Sequence, residues 1–140
     1  MVAYSFHAMF ANQVEQKIKN HTLRADRARH ARVGEPVQLY TAMRTRQCRK
    51  LVAIDPICVE VANATLEIDP AYSRILASVR IDGHRLNAIE IEKFAWSDGF
   101  GMQDRSARLA MGEYWLEQQG EGRSEAFLWG GVLIRWEHQA

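Results

Sequence analysis

The sequence predicts an α+β domain, a small barrel of strands with helices packed at one side. Three observations predict it. The apolar pattern runs strand, helix, many strands, two helices, strand, which lacks the alternation of a βαβ protein. A chain of 140 residues with 47% hydrophobic and 25% charged side chains has the size and composition of one globular domain, residues 1–140. No internal repeat, low-complexity tract or Pro/Gly-rich linker divides it.

Each element has its own signal. Val2–Phe10 is apolar and aromatic and reads as a first strand. Phe10, Val14 and Ile18 recur at helical spacing, with Asn12 as the candidate cap. Thr22–Arg24 is short and β-compatible. Ala25–Glu35 is Arg-rich without periodicity and reads as an exposed loop closed by Gly34 and Pro36. Val37–Thr41 alternates as a strand, and Arg44–Gln47 is a polar turn. Cys48–Val61 is a β-rich stretch in which Pro56 predicts a bulge or break. Thr65–Ile68 and Ile75–Ile81 are two further strands, the second ended by Asp82-Gly83. Ile89, Phe94 and Ala95 mark a short helix stopped by Gly99. Ala107–Gln119 is a second helix, anchored by Leu109, Trp115 and Leu116 and stopped by Gly120–Gly122. Phe127–Trp136 returns to strand, with Gly130-Gly131 as a bulge candidate.

Composition narrows the function classes. No apolar run approaches the roughly 20 residues of a membrane span, and Met1–His7 lacks the pattern of a signal peptide. The expected location is cytoplasmic, with no membrane partner. Cys48 and Cys58 have no metal-site spacing and read as two reduced, buried thiols, so neither a metal nor another cofactor is expected. The net charge of +1 conceals an asymmetry. Residues 1–50 hold ten Lys/Arg and three Asp/Glu, a formal +7; residues 51–140 hold eight and fourteen, a formal −6. Such a block either forms a positive face for phosphate-bearing partners or is a solvated surface paired with the acidic half.

The densest cluster of polar chemistry is Lys17–Arg24, at the junction of a helix and a strand. A Thr hydroxyl is a poor nucleophile unless a base takes its proton, and a desolvated Lys can be that base. Lys19 and Thr22 are the candidates, with Arg24 able to hold an oxygen of the ligand. Asp98, at a helix C-terminus where a carboxylate is electrostatically unfavourable, is either a turn residue or the partner of that pair. Arg27, Arg29, Arg44 and Arg46 are candidate phosphate contacts. Tyr40, Trp96 and Trp129 are either stacking platforms for a base or core residues. His21 and His30 read as exposed.

Three segments carry a resemblance. Lys19-Asn20-His21-Thr22-Leu23-Arg24 is similar to a Gly-x-Lys-x-x-Thr-x-Arg corner. Arg32-Val33-Gly34-Glu35-Pro36-Val37-Gln38-Leu39 is similar to a Pro/Lys-Gly-Asp/Glu strand start, and Phe94-Ala95-Trp96-Ser97-Asp98-Gly99-Phe100 to a Phe-Ala-x-x-Asp/Glu-Gly-Phe helix end. Across nearly its whole length the chain resembles the ASCH domain family of the PUA-like barrel superfamily. The resemblance implies a PUA-like barrel and a partner that is RNA, single-stranded DNA or a modified nucleoside. Within the superfamily a bacterial amidohydrolase removes acetyl groups from N4-acetylcytidine with a Lys, a Thr and an acid, which would fall on Lys19, Thr22 and Asp98. That reaction needs no metal. Other relatives bind RNA or single-stranded DNA, and some are ribonucleases, so a non-catalytic binding module is the alternative. The chain departs from the pattern twice: Lys17 stands where the family has Gly, and the acid is Asp rather than Glu.

Overall fold

The computed structural model describes residues 2–101, 104–120 and 122–139. The secondary structure is mixed α+β, and the chain clusters into two compact units, residues 1–61 with 133–140, and residues 62–132.

In the first unit, β1 (Val2–Phe6) runs parallel to β3 (Val37–Thr41), with Val2 opposite Val37, Tyr4 opposite Leu39 and Phe6 opposite Thr41. A parallel pair needs a long crossover. Here the crossover holds α1 (Ala8–Glu15), which packs on β1 and β3, and β2 (His21–Arg24). The two-residue β4 (Arg49–Lys50) pairs antiparallel with β3. Val2, Tyr4 and Phe6 are buried while Ala3 and Ser5 are half-buried, the period-2 pattern of a strand with one covered face. Phe6 meets Trp136 edge-on with ring centroids 5.9 Å apart.

The first strand is shorter than the apolar run, and the cap differs from expectation. His7 stops β1 by capping α1, its Nδ1 accepting from the Met9 N–H at 3.2 Å. Asn12 lies inside α1, where its Oδ1 accepts from Gln16 Nε2. Ile18 lies beyond the helix and is exposed.

β5 (Ile57–Ile68) is one long strand that absorbs the expected Thr65–Ile68 element. Pro56 precedes it rather than breaking it, and the Pro56 carbonyl accepts from Val37 N–H. Cys58 is buried and its thiol is pushed up by that burial. Cys48 is exposed, contrary to expectation, because it lies in the polar stretch just ahead of β4.

In the second unit, the latter part of β5 pairs antiparallel with β6 (Leu76–Ile81), with a bulge at Glu67/Ile68. Asp82 and Gly83 both take positive φ (49° and 81°), the signature of the tight turn into β7 (His84–Arg85). α2 (Ala88–Ala95) opens with a reciprocal capping box between Asn87 and Glu90. It continues as a π-helical turn, Trp96–Phe100. α3 (Ala107–Gln119) is capped by Ser106, and it packs on α2 and β6. The Glu92 carboxylate accepts from Ser106 Oγ at 2.7 Å and from the Ala107 and Arg108 N–H groups. Partial burial works against ionisation, but those bonds and the Arg108 charge hold the Glu92 carboxyl below its usual range. β8 (Phe127–Glu137) runs unbroken through Gly130-Gly131.

The eight strands of the described residues pair as two sheets, β1-β3-β4 and β2-β8-β5-β6-β7, rather than as one closed barrel. No helix among the described residues is long and apolar enough to cross a membrane.

Candidate functional site

The corner between α1 and β2 is built by local backbone chemistry. Lys17 takes φ 65°, which ends α1; the Ile18 and Lys19 N–H groups both fold back onto the Gln13 carbonyl. This is the left-handed conformation that glycine adopts without strain. Lys17 therefore holds a backbone geometry that glycine adopts more readily. Asn20 fixes the other side of the corner. Its Nδ2 donates to the Lys17 carbonyl, its Oδ1 bonds His138 Nε2, and its own carbonyl accepts from Trp136 N–H. An Asn between two assigned residues carries no spacing signal, and sequence reasoning missed it.

This backbone buries two of the candidate residues. Lys19 is 3% exposed, with Nζ 5.1 Å from the Phe10 ring centroid, and Thr22 is 5% exposed. His21, read as exposed, is buried as well, since β2 lies in the interior of its unit. Thr22 Oγ1 accepts from Arg24 Nε at 3.0 Å. Arg24 Nη2 donates to the Ser5 carbonyl at 2.7 Å, and the guanidinium lies 5.3 Å from the Tyr4 centroid and 4.9 Å from that of Phe6. A hydroxyl that accepts a bond from a cation keeps its own proton available to a base, and the cation favours the alkoxide.

Tyr4 organises the loop above this corner. Its hydroxyl accepts from the Ala31 N–H at 3.0 Å and lies 3.0 Å from His30 Nδ1. His30 Nε2 is 2.9 Å from the Ala25 carbonyl, so a neutral imidazole donates there and Nδ1 accepts from Tyr4. His30, expected to be exposed, is thus half-buried and stacked on Tyr4. Arg27 lies 4.7 Å from the Tyr4 centroid and donates to the Arg29 carbonyl. The signal for Tyr4 was present in the alternation Val2, Tyr4, Phe6.

The remaining candidates separate from this group. Arg29 pairs with Glu35 at 2.5 Å, and bonds from Arg29 and from the Arg32 N–H hold the Glu35 carboxyl down. Arg44 and Arg46 are exposed, with no acidic partner among the described residues. Tyr40 is half-buried on β3. A shallow depression of about 410 Å³, lined by Ser5–Ala8 and Thr41–Met43, lies in the same unit.

Asp98 belongs to the second unit. It is 5% exposed on the π-helical turn, where Gly99 takes φ 112°, a conformation open to glycine. π-Turns recur at functional positions. Trp129 packs against Trp115 with centroids 4.5 Å apart, whereas Trp96 is exposed. Among the described residues no three His, Cys, Asp or Glu side chains cluster to hold a metal.

No family model matches the chain, and no curated protein or solved structure matches it.

Proposed function

We propose that the protein is a nucleic-acid- or nucleoside-binding domain of the ASCH, PUA-like kind, and that its Lys19–Thr22 corner hydrolyses an N4-acetylcytidine-like amide. One observation carries this reading. Six polar or charged side chains are buried among the described residues, and three of them, Lys19, Thr22 and Asp98, are those the resemblance assigns to catalysis. Burying such groups is costly, so their selection calls for a reason. The glycine-like φ of Lys17 supports the same reading, because the family pattern has Gly at this position.

The chemistry is acyl transfer. Thr22 Oγ forms a bond to the acetyl carbon as Lys19, in its neutral form, takes the hydroxyl proton. The N4–carbonyl bond breaks, and the proton passes to the departing amine. Water then hydrolyses the acetyl-threonine, releasing acetate. Arg24 donates to Thr22 and to the Ser5 carbonyl, so in this reading it positions and polarises the nucleophile. The resemblance gives the acid role to Asp98, which is tested separately by Asp98→Asn.

The test is hydrolysis of N4-acetylcytidine by purified protein beside Lys19→Ala and Thr22→Ala. Loss of at least about 10³-fold in each is expected from removal of a base or a nucleophile. Activity that survives both changes refutes the assignment, and absence of activity in the parent protein refutes the enzymatic reading.

The second reading, a non-catalytic RNA- or single-stranded-DNA-binding module, is favoured by Arg44 and Arg46, exposed cations with no acidic partner among the described residues. Arg27 and Arg29 contribute less to it, being bonded to a carbonyl and to Glu35.

A further inference from the structure

We propose that the outward face of α2 and its π-turn is a stacking site for a single-stranded polynucleotide, with Trp96 as the platform and Lys93 as the phosphate contact. The proposal rests on the nucleic-acid partner named above. It adds a binding surface, and so a polymeric ligand rather than a free nucleoside.

Trp96 is 51% exposed, whereas Trp115 and Trp136 are buried and Trp129 is half-buried against Trp115. Single exposed apolar residues are ordinary, but this one has a built support. A Cβ placed on Gly101 would stand 2.3, 2.3 and 2.4 Å from the Cδ1, Nε1 and Cδ2 atoms of Trp96. Near-equal distances to three atoms spread around one five-membered ring place that point above the ring face, not at its edge. The indole therefore lies flat on the Gly101 backbone. Gly101 has φ −77°, which any residue adopts, so its lack of a side chain serves the indole and not the turn. With one face against the backbone and half its surface in solvent, Trp96 presents the opposite face as a fixed platform.

Lys93 lies three residues earlier, one helical turn away, on the same face. It is exposed and makes no salt bridge among the described residues, although its charge acts on the Glu90 carboxylate one turn earlier. The helix dipole alone accounts for a lysine in the last turn of α2. It does not account for an exposed tryptophan held flat beside it. A π-face with a cation one turn away matches a nucleobase and its own backbone phosphate, the pairing by which single strands are held. Ile89 is also exposed on this face, but Lys93 separates it from Trp96, so the apolar surface is not the continuous patch that a protein partner needs.

The experiment titrates the full chain with oligocytidylate and oligodeoxycytidylate of about 12 nucleotides, within the range of single-strand site sizes. It reads intrinsic tryptophan fluorescence and the anisotropy of a labelled strand. Quenching on binding is expected. Trp96→Ala should weaken binding at least about fivefold, the low end for one stacked base. Gly101→Ala should do the same by displacing the indole, and Trp96→Phe should abolish the quenching while keeping most of the affinity. Lys93→Ala should reduce the slope of log affinity against log salt by about 0.7. Circular dichroism of each variant establishes that it is folded. The ribose and deoxyribose strands show which backbone is preferred. Unchanged affinity in folded Trp96→Ala and Gly101→Ala overturns the proposal. Acetylcytidine hydrolysis tells this failure from that of the corner: Trp96→Ala protein that hydrolyses the free nucleoside but binds strands like the parent refutes the platform alone.

Discussion

Two arginines, one in each unit, each donate to backbone carbonyls and lie against aromatic rings, and they differ in burial and in one partner. Arg108 in the second unit is buried, its Nε donating to the Leu76 carbonyl at 3.0 Å and its Nη2 to that of Ala77 at 3.3 Å, with Tyr72 beside the guanidinium. Arg24 in the first unit donates to the Ser5 carbonyl and lies against Tyr4 and Phe6. The difference in partner is one bond. Nε and Nη2 of Arg108 both end on backbone, which ties α3 to β6, while the Nε of Arg24 ends on a hydroxyl. The backbone that Arg108 ties accounts for its burial, whereas a side-chain hydroxyl sets the bonding of Arg24 apart.

The largest effect should come from the second unit. Arg108→Ala leaves two strand carbonyls without their donor and should lower stability by about 3 kcal/mol, read from the urea midpoint. A loss well under 1 kcal/mol would mean that water replaces the guanidinium and that the comparison overstates its structural role. Arg24→Ala should cost less stability, about 1–2 kcal/mol, because the site is only half-buried. It should nevertheless depress acetylcytidine hydrolysis through kcat with little change in KM, as befits a group that acts on Thr22 and not on the substrate. A change confined to KM would break the contrast by making Arg24 a substrate contact. The smallest effect sharpens the corner itself. Lys17→Gly should raise stability by about 0.5–1 kcal/mol, since the native φ is one that glycine adopts freely. A fall in the urea midpoint would show that the Lys17 side chain outweighs its backbone strain.

The elements legible in the sequence are those whose signals are local. α3 was expected over Ala107–Gln119 and forms there, because Ser106 and Gly120 bound it at both ends. β3 follows from the alternation Val37, Leu39, Thr41. The start of α1 was missed because His7 is an uncommon cap, and Asn12 is a common one in the wrong place. The long β5 was missed because Pro56 reads as an interruption, yet it lies one residue before the strand begins. The separation into two sheets was not legible either, since strand pairing is a long-range property that no stretch of sequence declares. At the candidate site the residue types were legible and their bonds were not. Arg24 was a candidate for holding a ligand oxygen, and its bonds to Thr22 and to the Ser5 carbonyl carry no signal in the sequence. Trp96 was open as a stacking platform or a core residue, and its exposure and its contact with Gly101 carry no signal in the sequence.

The strand order has a consequence for when the corner can exist. β2 carries Thr22 and Arg24, lies at the edge of its sheet, and has β8 as its neighbour. Asn20, which braces the corner, is tied to His138 across 118 positions of chain. Contacts of such separation are among the slowest to close, because the intervening loop must first be ordered. The corner is thus the keystone rather than the cornerstone of the folding sequence. A nascent chain carries Lys19, Thr22 and Arg24 long before β8 arrives to set them in place.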